Sequence, residues 1–140
     1  MSGALIDSCL LIDHLRAKDK TKTPFADVLI RCSEPSISTI VEYEVEVGMT
    51  DFHRELWSSI RTRLKMIPFE SPMVVHACKI KHQLKAIGKQ IGPLDLFIAA
   101  TAIDAGLPLA TLNRKHFEPI DGLELFLPEK FLDRQTEPGA

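Results

Sequence analysis

The sequence predicts an α/β fold with a mostly parallel central sheet of short strands. Two observations predict it. Brief apolar runs, GALI at residues 3–6, LPLAT at 107–111 and LELFL at 123–127, have the length and composition of buried strands. Between them lie longer stretches with helical spacing, and strands that alternate with helices pair in parallel. Sheets of this class place their sites at the carboxyl ends of strands. Asp7, directly after GALI, and Asn113, just after LPLAT, both fall there.

Each element follows from local signals. Ser8 is placed to cap a helix over CLLIDHLRA, with Leu10, Leu11 and Leu15 on one face. KDKTKT is a polar loop, and Pro24 suits the first turn of a helix over FADVLIRC. SEPS, residues 33–36, reads as a turn. Residues 51–65 carry Phe52, Leu56, Ile60 and Leu64 at helical spacing, and MIPF reads as a short strand that Pro68 confines to an edge or ends. Ser71 and Pro72 open a long helix stopped by Gly88, and Gly92-Pro93 opens another stopped by Gly106. NRKHF reads as a polar turn. The pattern predicts one domain over residues 1–132 and a flexible tail over 133–140.

Composition narrows the function classes. In 140 residues, 45% hydrophobic and 26% charged content supports one real core rather than disorder. A net charge of −2 predicts no polyanionic partner from overall charge, so any nucleic-acid contact must come from a local basic patch. Cys9, Cys32 and Cys78 are odd in number and lack C-x-x-C spacing, which argues against a disulfide framework or thiolate zinc site and for a reducing, cytoplasmic setting. MSGALID carries no signal-peptide pattern, and no apolar run approaches the ~20 residues of a membrane span.

The carboxylates carry the chemistry. VEYEVEV, residues 41–47, holds Glu42, Glu44 and Glu46. Its β-branched alternation suits a strand with three solvated glutamates. Thr39 three residues before Glu42 and Gly48 after the run suit a helix instead. On a helix, Glu42 and Glu46 form an outer i, i+4 pair, and Glu44 joins the inner stripe of Val41 and Val45. Pattern alone leaves both readings open. Asp95 is the one charge in GPLDLFIAATAI, in a first turn where the helix dipole favours an anion. Asp7 alone would pass as a turn or capping residue. Together, three carboxylates converging from apolar faces and a strand end would repel one another unless a divalent cation lay between them. Oxygen donors with retained water suit Mg²⁺ or Mn²⁺ rather than zinc.

Four pieces, LIDSCLLIDHL, ISTIVEYEVEVG, IGPLDLFIAATAIDAGLPLATLN and HFEPIDGLEL, occur in an order that resembles PIN-domain ribonucleases, specifically the VapC-type toxins of toxin–antitoxin pairs. The resemblance spans roughly residues 3–127. It implies a PIN-like three-layer α/β/α fold and Mg²⁺- or Mn²⁺-dependent hydrolysis of RNA phosphodiesters. By resemblance, the family's acids fall on Asp7, Glu44 (four residues before Gly48) and Asp95, and its fourth polar position falls on Asn113. This favours the helical reading of VEYEVEV, with Glu44 facing Asp7 and Asp95. Ser8 takes the family's hydroxyl position, and either supports the cluster or simply caps its helix. Where relatives often carry a further aspartate, TLNRKHF has His116, so the cluster is one carboxylate poorer.

RNA requires nearby cations. Arg16, Arg114 and Lys115 adjoin the predicted site segments, whereas Lys79, Lys81, Lys85 and Lys89 read singly as a solvated helix face. The five histidines show no paired ligand spacing, and only His116 stands near the predicted site. The resemblance further implies a homodimer and a cognate VapB-type antitoxin bound over helices LLIDHLRA, FADVLIRC and EYEVEVGM. Rival readings fare worse. A haloacid-dehalogenase-like phosphatase needs D-x-D where this chain has Asp7-Ser8-Cys9, and the acidic pair and late lysine of a receiver domain are not evident. A catalytically weak PIN-like module that binds RNA or protein stays open because of His116.

Overall fold

The computed structural model describes residues 3–128; the expected tail and the end of the expected domain lie outside the described residues. Five short strands, β1 (Gly3–Ile6), β2 (Glu34–Ser38), β3 (Lys65–Ile67), β4 (Leu109–Ala110) and β5 (Leu125–Phe126), form one sheet in the order β3-β2-β1-β4-β5. Every pairing is parallel. Seven helices connect them: α1 (Ser8–Arg16), α2 (Pro24–Arg31), α3 (Thr39–Val47), α4 (Asp51–Arg61), α5 (Ser71–Ala86), α6 (Pro93–Ala105) and α7 (Arg114–Phe117).

The chain leaves β1 toward β2 and β3, then returns across the sheet to β4 and β5. Right-handed crossovers therefore put α1 to α4 on one face and α5 and α6 on the other. Most helix contacts follow that division: α1 packs on α2, α3 and α4, and α5 packs on α6, while α3 also meets α6 across it. The strand order reverses between β1 and β4, and the crevice beyond their carboxyl ends is where such sheets bind ligands. β1 is wholly buried, and α6 sinks Ile98, Ala99, Ala100 and Ala102 into the core. Two backbone bonds, Leu5 N–H to Pro108 O and Asp7 N–H to Ala110 O, both 2.9 Å, lock β1 to the segment carrying β4.

Several local expectations change. SEPS is not a turn, because residues 34–36 pair with β1. Pro35 is tolerated because β3 begins its pairing only at Ser36, so a residue without an N–H interrupts no ladder on that side. Asp7, not Ser8, occupies the cap position of α1, and its Oδ1 accepts from Ser8 N–H at 2.8 Å. Ser38, rather than Thr39, caps α3, accepting from Val41 N–H at 3.1 Å, while the Thr39 hydroxyl accepts from Phe69 N–H at 3.2 Å. The helix over 51–65 stops at Arg61, and Phe52 lies 89% exposed instead of facing the core. Of NRKHF, RKHF forms helix α7 rather than a turn, with Asn113 at its cap position.

Candidate active site

VEYEVEV is helical, and its three glutamates have separate roles. Val41 and Val45 are buried. Glu42 pairs with Arg61, and Glu46 accepts from the Trp57 indole N–H at 3.0 Å, so the two outward glutamates fasten α4 to α3. Glu44 points the other way. It meets Asp7, from the end of β1, and Asp95, from the first turn of α6. One oxygen from each of these three side chains lies within 4.8 Å of the others.

Asp7 is the buried member, 2% exposed, and three donors reach its two oxygens. Besides the Ser8 N–H on Oδ1, its Oδ2 accepts from the Thr111 hydroxyl at 2.7 Å and from the Cys9 thiol at 3.2 Å. The Ser8 hydroxyl donates to Glu44 Oε1 at 3.1 Å, so one short segment orients two carboxylates. His116 Nε2 sits 2.9 Å from Asp95 Oδ2. Asn113 lies exposed immediately before α7, with its backbone N–H on Thr111 Oγ1 at 3.0 Å. Arg114 is engaged by Glu118 at 3.0 Å, Lys115 is exposed beside it, and Arg16 borders a small hollow with Ile12, Val45 and Met49. The sequence-predicted residues Asp7, Glu44, Asp95, Ser8 and His116 thus come together, while the three cations stand on the surrounding surface.

Thr111 and Cys9 are site residues that pattern reading missed. Thr111 ends the LPLAT segment, but only the pairing of β1 with β4 sets it against Asp7. Cys9 could have been suspected from its place two residues after Asp7 at a helix start. Burial, then the Asp7 charge, pushes its thiol up to about 12, so it serves as a neutral S–H donor.

Electrostatically the site lacks positive charge. Burial, aided by the Asp95 charge, raises the Asp7 carboxyl above its ordinary value, against the opposing bonds from Thr111, Cys9 and Ser8. Burial and the charges of Asp7 and Asp95 likewise raise Glu44, opposed by Ser8. No lysine or arginine pairs with any of the three among the described residues. Such a cluster of oxygen donors fits a hard divalent cation, which would supply the missing charge.

The sign of the pH effect follows. Without metal, the folded state holds protons on Asp7 and Glu44 more tightly than the unfolded chain does. Stability therefore falls as pH rises from the ordinary carboxylate range through the raised folded values, and the penalty is fully present above them. Glu44→Gln removes one repelling charge while keeping an acceptor for Ser8. Metal-free Glu44→Gln should melt a few degrees above wild type at neutral pH and lose that advantage in acid, as followed by circular dichroism.

A family profile for the PIN domain matches residues 4–123. Ribonuclease VapC1 of Methanocaldococcus jannaschii is 30% identical over 128 residues, covering 89% of this chain and 88% of that protein. Ribonuclease VapC1 of Rickettsia felis is 30% identical over 131 residues, covering 88% and 94%. Among solved structures, DNA-bound VapBC from Salmonella typhimurium superposes with a TM-score of 0.79 at 23% identity, covering 91% of this chain and 98% of that one.

Proposed function

The chain belongs to the PIN-domain family, and on that premise we propose that it is a metal-dependent endoribonuclease, the toxin of a toxin–antitoxin pair. The observation that carries the catalytic reading is the meeting of Asp7, Glu44 and Asp95 at the switch point of the sheet, with no lysine or arginine paired to any of the three among the described residues.

Asp7, Glu44 and Asp95 would hold Mg²⁺ or Mn²⁺. Such an ion makes a nucleophile available from water at neutral pH and offsets charge on the reacting phosphate. The protein's own part is positioning. Thr111, Cys9 and Ser8 N–H fix both oxygens of Asp7, and the Ser8 hydroxyl aims Glu44. Asn113, tied to Thr111 through its backbone N–H, would offer a neutral amide to the site. Arg16, Arg114 and Lys115 would bear on phosphates and hold the strand in register without reading bases. Arg114 does so less freely because Glu118 holds it.

His116 would orient Asp95 from outside, the part played by hydrogen-bonding groups behind metal ligands. His116→Ala should weaken Mn²⁺ binding by about 10–100-fold, read by calorimetric titration of the purified protein. Unchanged affinity would leave His116 as a surface residue of α7.

The proposed partners are an RNA substrate, a VapB-type antitoxin and a second copy of this chain, in the cytoplasm. VapBC complexes among the structural neighbours support the antitoxin. No helix among the described residues is long and apolar enough to cross a membrane. The test uses the chain purified free of antitoxin, incubated with RNA and Mg²⁺ or Mn²⁺. Cleavage should require the metal and stop in EDTA; cutting that survives EDTA overturns the mechanism. Arrest of growth on induced expression, relieved by the antitoxin, would mark a toxin rather than a housekeeping nuclease.

A further inference from the structure

A second charged feature lies just before Asp95 in the chain. Lys81, Lys85 and Lys89 line one concavity with Leu84, Gln90 and Ile91 at the carboxyl end of α5. The spacing accounts for the grouping, because residues four apart share a helix face, and the turn after α5 brings Lys89 onto it through Lys89 N–H to Leu84 O at 2.8 Å. Among the described residues, no acidic side chain lines the hollow. None of the three lysines forms an ion pair among the described residues. In a chain of net charge −2, three unpaired cations around one recess are a local excess of positive charge.

Chain connectivity keeps the Ile91 wall of this recess near the site. Ile91 precedes Asp95 by four residues, so their backbones stand no more than about 15 Å apart. Gln83, on the same stretch of α5, donates to Pro119 O at 2.9 Å and accepts from Asp121 N–H at 3.1 Å, which braces it against the segment that follows α7 and His116.

We propose that Lys81, Lys85 and Lys89 form a backbone-binding track for the substrate RNA, holding phosphates a few nucleotides away from the bond cut at Asp7, Glu44 and Asp95. The inference rests on the ribonuclease reading and extends it. The recess offers ammonium groups and an amide, with no aromatic platform for a base among the described residues. It therefore binds phosphate and carries no sequence preference. Lysines near a helix terminus also complement the helix dipole, but that role needs no shared recess and no freedom from acidic partners.

The test measures binding of a long single-stranded RNA in the Asp7→Asn background, by fluorescence anisotropy across a range of salt concentrations. Lys81→Ala/Lys85→Ala/Lys89→Ala should bind more weakly, and its log–log salt dependence should be shallower by about 0.7 for each phosphate that the variant no longer neutralises. Arginine at all three positions should restore the slope, and Lys65→Ala, at the opposite sheet edge on β3, should not alter it. A wild-type slope in the triple alanine protein overturns the track, as does an equal loss from Lys65→Ala. Metal-dependent cleavage by the wild-type chain is measured in parallel, so failure of the track is distinguishable from failure of the ribonuclease reading.

Discussion

Asp7→Asn should abolish RNA cleavage while leaving the protein folded. The expected loss is about 10³-fold or more, because losing a Lewis acid removes several kcal/mol of transition-state stabilisation and each 1.36 kcal/mol is a factor of ten. The substitution is clean for a structural reason. An asparagine Oδ1 can still accept from Ser8 N–H, and the Thr111 hydroxyl and Cys9 thiol can turn to accept from its amide. It also removes a buried charge that Asp95 repels. The metal-free variant should therefore melt no lower than wild type, and it should lose the rise in melting temperature that Mg²⁺ or Mn²⁺ gives the wild-type protein. Gel assays of RNA cleavage and thermal melts with and without metal read both effects. A variant that cuts at the wild-type rate would remove Asp7 from the mechanism.

The second large effect is on stability. Trp57→Ala should cost about 3–5 kcal/mol, a large part of the 5–15 kcal/mol typical of a whole domain. Trp57 is 1% exposed, among the largest fully buried side chains, and its indole N–H is the donor to Glu46. Its loss leaves a void and removes one of the ties between α4 and α3, the helix that carries Glu44, with the Glu42–Arg61 pair remaining. The melting temperature should fall by roughly 10–20 °C, and metal affinity should decline with it. Trp57→Phe separates the contributions, since it keeps most of the packing and loses the bond, at about 1 kcal/mol for the bond itself. Denaturant titrations with unchanged slope check the ranking; a loss below about 1 kcal/mol for the alanine variant would show that α4 is held some other way.

Much of the site was legible because its acids mark themselves locally. Asp95 stands out as a charge in an apolar helix whose limits, Gly92-Pro93 and Gly106 with φ 66°, are written in turn chemistry. Asp7 stands out by following a buried strand directly. VEYEVEV shows where local reading falters. Its residues favour a strand by propensity, and no seven-residue pattern could outweigh that. The helix wins because Ser38 caps it, Val41 and Val45 gain burial, and Glu42 and Glu46 find Arg61 and Trp57 on a helix that local pattern does not connect to them. β2 was misread for the opposite reason: Ser, Glu and Pro are turn residues until a neighbouring strand supplies a ladder, and β1 supplies it here.

By itself, then, the sequence determined the α/β class, most of the helices and strands, and which acids were candidates for catalysis. These depend on caps, breakers and apolar spacing within a few residues of one another. Only the tertiary structure decided which groups serve those acids. Thr111 reaches Asp7 across 104 positions of chain because β4 lies beside β1, His116 reaches Asp95 because NRKHF winds into a helix, and the three lysines share a recess because the turn after α5 folds Lys89 back. Such contacts are set by strand order and packing, which depend on burial summed over the whole chain and leave no signature in any single stretch of it.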